Sequence, residues 1–197
     1  RRKRAEAIIV LDSSNISRIG SAVQFIDKDV PLLNIDHHVG NTNFGDINIV
    51  DEGVSSTCEL LYVIFKGLKV ALDREIATCL YTGIVVDTGS FRYSNTTAIT
   101  HSIAVRLLEY GIDASTIYRN VYANLRFLDL ECIAKTLLSV KKDKTGKIAW
   151  AVIRHDMLKK YKPAIDLTDN VLSYIRLING VEVCLLFKER IDKRLHI

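Results

Sequence analysis

The chain has 197 residues, of which 48% are hydrophobic and 25% are charged, and its formal net charge at pH 7 is +4. This length and composition suffice for one large globular domain or two small ones with a hydrophobic core, and they exclude an intrinsically disordered chain. No apolar run approaches the roughly 20 residues of a membrane-spanning helix, and the N-terminal residues lack the apolar stretch of a signal peptide.

Strands and helices alternate in the first part of the chain. Residues 6–11 are an unbroken β-rich run, which predicts a buried strand. A short helix to about residue 25 follows, Pro31 interrupts the chain, and residues 32–35 predict a second strand. Residues 47–50 predict a third, short strand. This order indicates an α/β fold with a mostly parallel sheet and helices on both faces.

Helices dominate the middle of the chain. Ser56 and Glu59 have the spacing of a capping box, which predicts a helix ending near Gly67. Asp73 is positioned to cap a second helix over residues 74–86, whose apolar residues occur on all sides and predict burial. Further helices are predicted over residues 98–110, 113–121 and 125–138.

The pattern changes after residue 138. Residues 139–152 predict a β-hairpin, and two helical stretches then precede a strand over residues 181–187. We therefore expect three parts: a metal-binding catalytic domain, a linker helix and a smaller, partial α+β domain for substrate binding. They cover residues 1–124, 125–138 and 139–197, respectively.

Three apolar runs end on an acid: Asp12, Asp36 and Asp87, of which the second precedes His37 and His38. A single acid at such a position is commonly a helix cap or a turn residue, and the two histidines could simply lie on the surface. Three acids of this kind favour a shared site instead, because ligands of α/β sheets bind beyond the carboxyl ends of the strands.

Carboxylates and imidazoles bind Mn²⁺, Mg²⁺, Zn²⁺ or Fe²⁺, and an oxygen-rich set with few imidazoles favours Mn²⁺. A pair of such ions activates water as hydroxide and neutralises a phosphoryl oxygen, which is the chemistry of phosphate ester hydrolysis. The chain has no Walker-type phosphate loop and no serine or cysteine in a nucleophile elbow. Nucleotide-driven phosphoryl transfer and acyl-enzyme chemistry are therefore not indicated.

Three segments resemble motifs of the DHH phosphoesterase family, and most closely its branch of bifunctional oligoribonucleases that also dephosphorylate 3′-phosphoadenosine 5′-phosphate. Residues 10–20 (VLDSSNISRIG), 34–38 (NIDHH) and 83–96 (GIVVDTGSFRYSNT) are similar to the second, third and fourth motifs. Residues 148–187 resemble the first part of the family's smaller C-terminal domain. The resemblance therefore extends through most of the chain.

This resemblance implies roles for five residues. Asp12 would bridge two Mn²⁺ ions, and His37 and Asp87 would complete the site of the second ion. His38 would contact the phosphate during catalysis, and Asp36 would orient the imidazoles. Mg²⁺ or Co²⁺ are alternative ions.

Arg92 lies in the polar loop that follows Asp87 and is a candidate phosphate contact, although an ion-paired structural arginine is an equal alternative. The family's first motif, an Asp-x-Asp with a nearby histidine, lies upstream of the second motif, whereas only eleven residues precede Asp12 here. The family's Gly-rich loop in the C-terminal domain has no counterpart either. We therefore expect a fragment, or a degenerate homologue, that is poorly active by itself.

The function indicated is a manganese-dependent, exo-acting phosphodiesterase and phosphatase for short single-stranded RNA and nucleoside 3′,5′-bisphosphates. One alternative is a non-catalytic nucleotide- or RNA-binding module on the same scaffold. Others are a cyclic-dinucleotide phosphodiesterase and an inorganic pyrophosphatase, although residues 188–194 do not match the basic signature of the latter. Four widely spaced cysteines are typical of a reducing compartment, so we expect a cytoplasmic protein, as a monomer or a homodimer.

Overall fold

The computed structural model describes residues 5–163 and 166–189, and the backbone of residues 195–196. The chain divides into two units, Arg1–Ala123 and Asn124–Ile197, each with its own buried core. Part of the basic run over residues 188–194 lies outside the described residues. Among the helices of the described part, none has the length and apolar character needed to cross a membrane.

A parallel sheet forms one side of the first unit. Its strands are β1 (Ile8–Leu11), β2 (Leu32–Asp36) and β3 (Ile47–Val50), in that spatial order. Both pairings are parallel, so all three strands end at the same edge. A 3-10 helix, Ile16–Phe25, connects β1 to β2. The α/β class with a parallel sheet, predicted from the sequence, is confirmed.

Strand β1 is buried on one face only, which corrects the prediction of a buried strand. Val10 is buried, whereas Ile9 on the opposite face is 59% exposed and Leu11 is 47% exposed. Ile9 aligns through Leu33 of β2 with Ile47 of β3, which is also exposed. An unbroken apolar run shows that both faces of a strand are apolar, but it does not show that both are covered.

Four α-helices complete the first unit: α1 (Thr57–Gly67), α2 (Arg74–Asp87), α3 (Ala98–Leu108) and α4 (Ala114–Tyr122). Ser56 and Asp73 cap α1 and α2 as predicted, each accepting a hydrogen bond from a backbone N–H three residues further on. Ile84 of α2 and Leu107 of α3 are completely buried in the core of this unit. The buried residues of α2 lie on one face, whereas Val86 on the opposite face is 47% exposed, so the prediction of a helix buried on all sides is wrong.

The second unit has α+β structure. Its elements are α5 (Phe127–Leu138), β4 (Lys141–Lys142), β5 (Ile148–Ile153), α6 (His155–Tyr161), α7 (Thr168–Ile175), β6 (Val183–Glu189) and β7 (Leu195–His196). Strands β4 and β5 form the predicted antiparallel hairpin, and β5 pairs with β6 in parallel. The helix that we expected as a linker is α5, and it instead packs in this unit's core through Cys132 and Ile133. The apolar face of α5 requires burial, which a separate linker would not provide.

Candidate metal centre

The carboxyl ends of β1 and β2 bring the first candidate ligands together. Asp12 follows β1, and its backbone N–H donates to the carbonyl oxygen of Ile35 at 3.0 Å. Its φ of 59° turns the chain sharply away from the sheet, in a left-handed conformation that aspartate tolerates better than most residues. His37 follows the last residue of β2 at the same edge. Both side chains therefore leave the sheet at neighbouring points.

Asp87 reaches the same place from a helix. It is the last residue of α2, which confirms the helix predicted over residues 74–86. The argument that grouped Asp87 with the acids at strand ends is therefore wrong. The apolar run before it belongs to a buried helix, and short apolar runs do not distinguish a strand from such a helix. At a helix C-terminus the carboxylate faces the negative end of the helix dipole, a position that favours cations.

The imidazole of His37 lies between the two acids. Its Nε2 atom is 3.6 Å from Oδ1 of Asp12 and 3.7 Å from Oδ2 of Asp87. Such separations are those of atoms that share one ion at bond lengths of about 2.2 Å. The donor set, two carboxylates and one imidazole, suits a divalent cation such as Mn²⁺.

His38 lies close to the same ligand atoms, but one of its ring nitrogens forms a hydrogen bond with Asp36. Asp12, His37 and His38 have ligand atoms that all lie within 4.8 Å of one another, and this group does not include Asp87. However, Nδ1 of His38, 3.8 Å from Asp12, is only 2.7 Å from Oδ1 of Asp36. Because Nδ1 is used in that hydrogen bond, any ligand contact of His38 has to come from Nε2. The assignment of Asp87 rather than His38 as the third ligand follows the family resemblance and stays a prediction.

Asp36 is completely buried and works as an anchor for the His38 ring. Burial raises the pKa of the Asp36 carboxyl, but hydrogen bonds from His38, Asn41 and the backbone of His37 outweigh it and hold the pKa below its usual range. The carboxylate is therefore ionised and accepts from Nδ1 of His38, which leaves Nε2 to face a ligand. Nδ2 of Asn41 donates to the other carboxylate oxygen at 2.6 Å.

Comparison with known proteins identifies the family of the region that carries most of these residues. Residues 2–84 match the model described as "DHH family, N-terminal domain". These residues form a DHH-family domain. Asp12, Asp36, His37 and His38 lie within the match, and Asp87 lies just beyond its end.

The chain is similar to longer proteins. It is 27% identical over 190 residues to the "Bifunctional oligoribonuclease and PAP phosphatase NrnA" of Bacillus subtilis, covering 94% of this chain and 59% of the relative. It is 32% identical over 133 residues to the "Probable manganese-dependent inorganic pyrophosphatase" of Thermotoga maritima, covering 66% and 21%. An exopolyphosphatase-related protein from Bacteroides fragilis has a similar structure, with a TM-score of 0.86, 26% identity and coverage of 95% and 56%. The chain thus spans less than two thirds of these relatives.

The electrostatics around Asp87 also fit a cation. Burial, and then the negative charge of Asp12, raise the pKa of the Asp87 carboxyl, although His37 and His38 partly oppose this. A buried carboxylate near a second negative charge is stabilised in its ionised form by a divalent ion. The charges around Asp87 therefore agree with the metal site that the distances suggest.

Two further residues of the first unit contact the acids and were not assigned a role from the sequence. Oγ1 of Thr57 donates to Oδ1 of Asp12 at 2.8 Å, and Nδ2 of Asn95 donates to the backbone carbonyl of Asp87 at 3.0 Å. Asn95 lies in the segment over residues 83–96 that resembles the fourth motif, but asparagine is ordinary in a polar loop. No local pattern in the sequence distinguishes Thr57.

Arg92 is exposed in the loop after α2. Its Nε donates to the carbonyl oxygen of Gly89 at 2.7 Å, within the same turn. Among the ion pairs of residues 5–163 and 166–189, none involves Arg92. Its role as a phosphate contact remains a prediction.

Proposed function

We propose that this chain forms the metal-binding part of a manganese-dependent phosphoesterase for short oligoribonucleotides and nucleoside 3′,5′-bisphosphates. The observation that carries the proposal is the position of His37 Nε2, 3.6 Å and 3.7 Å from the carboxylates of Asp12 and Asp87. The names of the oligoribonuclease relatives support the substrate class. The free cysteines support a reducing compartment such as the cytoplasm.

In this proposal Asp12, His37 and Asp87 hold one divalent ion, with Mn²⁺ the preferred species. A bound ion supplies an activated water and neutralises charge that develops on the phosphoryl group. The side chain of Asp12 is 51% exposed, which leaves it accessible to bridge a second ion in the complete enzyme. The described ligands alone are sufficient for one ion, so we expect slow turnover by the isolated chain.

His38 and Asp36 act on the substrate side of the proposed site. Because Asp36 accepts from Nδ1, the ring of His38 is fixed in one orientation with Nε2 available to a phosphoryl oxygen. In its protonated form the imidazole can donate to that oxygen from Nε2. Arg92 is proposed as a further phosphate contact through its exposed guanidinium.

The test combines metal binding with substrate hydrolysis. Mn²⁺ binding is titrated by electron paramagnetic resonance, and product release is followed from a di- to pentanucleotide RNA and from 3′-phosphoadenosine 5′-phosphate. We expect one high-affinity Mn²⁺ per chain, and Asp87→Asn should weaken binding by at least about 100-fold. Asp113→Asn is the matched control, because Asp113 is an exposed helix cap of the same unit and asparagine retains capping. A wild-type chain that binds no Mn²⁺, or an Asp87→Asn variant that binds it equally, would refute the proposal.

A second candidate reaction is hydrolysis of inorganic pyrophosphate. It is favoured by the similarity to the protein named as a manganese-dependent inorganic pyrophosphatase. Phosphate release from pyrophosphate, measured beside the two nucleotide substrates, decides between the reactions. Mn²⁺-dependent nucleotide binding without hydrolysis of any of the three would instead indicate a binding module.

A further inference from the structure

A buried carboxylate without a cationic partner lies next to the proposed metal centre. Glu59 of α1 is only 2% exposed, and its Oε2 accepts from Oγ of Ser55 at 2.5 Å and from Oγ1 of Thr100 at 2.8 Å. Within residues 5–163 and 166–189 no lysine or arginine forms an ion pair with it. Burying such a group is costly unless hydrogen bonds compensate, so an apolar residue here would be the simpler choice for stability alone.

The first turn of α1 differs from the capping box that the sequence predicts. Oγ of Ser56 accepts from the N–H of Glu59 at 3.0 Å, as expected for a helix cap. The Glu59 carboxylate, however, accepts from Ser55 rather than from the N–H of Ser56. Glu59 therefore fixes the segment before α1 in addition to the first turn of the helix, and links both to α3 through Thr100.

This fixed segment reaches both acids of the metal centre. Thr57, the first residue of α1, is buried and donates from Oγ1 to Oδ1 of Asp12 at 2.8 Å. The carbonyl oxygen of Ser55 and that of Asp87 both accept from Nδ2 of Asn95 at 3.0 Å. The segment before α1 is thus joined to Asp12 through Thr57, which lies between Ser55 and Glu59 in the chain, and to the backbone of Asp87 through the side chain of Asn95.

We infer that Thr57 and Asn95 are positioning residues for the metal centre, and that the buried cluster of Ser55, Glu59 and Thr100 holds them in place. The inference rests on the proposed metal site and identifies the residues that fix the positions of its ligands. Asp12 needs such support because its side chain is half exposed at a left-handed backbone position. The Thr57 hydroxyl selects one orientation of that carboxylate and thereby presents it to the same point as His37. Asn95 ties the end of α2, and so Asp87, to the same cluster.

The inference is tested by Mn²⁺ affinity in variants of Thr57. Thr57→Val removes the donor at constant shape and should weaken Mn²⁺ binding about 10- to 100-fold, and Thr57→Ser should restore most of it. Thr136→Val is the matched control: Thr136 is completely buried in α5 of the other unit, and its Oγ1 donates to the carbonyl oxygen of Cys132. The zero-field splitting of bound Mn²⁺, read from the same spectra, should change in Thr57→Val and remain unchanged in Thr136→Val.

Glu59→Gln provides a second test, since Glu59 contacts neither Asp12 nor Asp87. It should weaken Mn²⁺ binding, and its effect should be smaller in a Thr57→Val background, because both act on Asp12 through the same hydroxyl. If Thr57→Val does not fold by circular dichroism, the serine variant and Glu59→Gln decide. Failure of the wild type to bind Mn²⁺ overturns the proposed metal centre. A wild type that binds, with Thr57→Val or Glu59→Gln binding equally well, overturns the positioning role alone.

Discussion

Replacing Gly83 by alanine tests how closely α1 and α2 must approach to place Asp87. A Cβ at position 83 would lie 2.2 Å from Sγ and 2.9 Å from Cβ of Cys58 in α1. Rotation of the cysteine side chain could move Sγ but would leave Cβ in place. Since carbon atoms pack at about 3.5–4.0 Å, the two helices would have to separate by several tenths of an ångström or more. Asp87 lies one helical turn further along α2 and would move with it.

The expected loss combines two opposing effects. Overpacking of a core costs about 1–3 kcal/mol, and the better helix propensity of alanine offsets up to about 1 kcal/mol of this. We therefore expect Gly83→Ala to lower the free energy of unfolding by about 1–2 kcal/mol, measured by urea denaturation followed by circular dichroism. Mn²⁺ affinity should fall as well, because Asp87 shifts relative to His37.

Gly67→Ala is the control for this experiment. Gly67 is also a helical glycine, but a Cβ there meets no atom within 4 Å, so the substitution should be neutral or stabilising. Adding Cys58→Ala to Gly83→Ala should recover part of the stability, because the 2.2 Å contact with Sγ is then gone. A Gly83→Ala variant as stable as the wild type, with unchanged Mn²⁺ affinity, would refute the argument that this close contact places Asp87.

Three further predictions concern the charges and thiols of the first unit. Because burial and the charge of Asp12 raise the pKa of the Asp87 carboxyl, the folded, metal-free protein binds the proton of this carboxyl more tightly than the unfolded chain does. The contribution of this bound proton to stability should be full at low pH and should decline as the pH rises from the ordinary carboxyl range through the raised pKa. Asp87→Asn should remove this decline in urea titrations without metal. Asp36→Asn should reduce turnover by about 10- to 100-fold in steady-state assays while Mn²⁺ still binds, because the His38 ring loses its anchor; equal turnover would exclude that role. Burial, and then the charges of Asp87 and Asp12, raise the pKa of the Cys58 thiol to about 11, so iodoacetamide at pH 8 should label the exposed Cys79 and leave Cys58 unlabelled by mass spectrometry.

Local chemistry in the sequence was sufficient to predict most elements of the fold. Ser56 and Asp73 cap helices because their side-chain oxygens accept from N–H groups three residues away, which is an interaction within one turn of chain. The hairpin of β4 and β5 also depends on residues close in sequence. Where burial by distant parts of the chain decides, the sequence is ambiguous: β1 is as apolar as a buried strand, yet Ile9 is exposed.

The same division applies to the candidate site. The apolar runs before Asp12 and His37 predict where these ligands leave the sheet, because parallel strands end at a common edge. The approach of Asp87 from a helix, and the contacts of Thr57 and Asn95 with residues 45 and 8 positions away, depend on how α1, α2 and the following loop pack. The sequence alone therefore predicted which residues are candidates for the chemistry. Only tertiary packing decided what holds them in place, since hydrogen bonds between distant segments leave no periodic pattern along the chain.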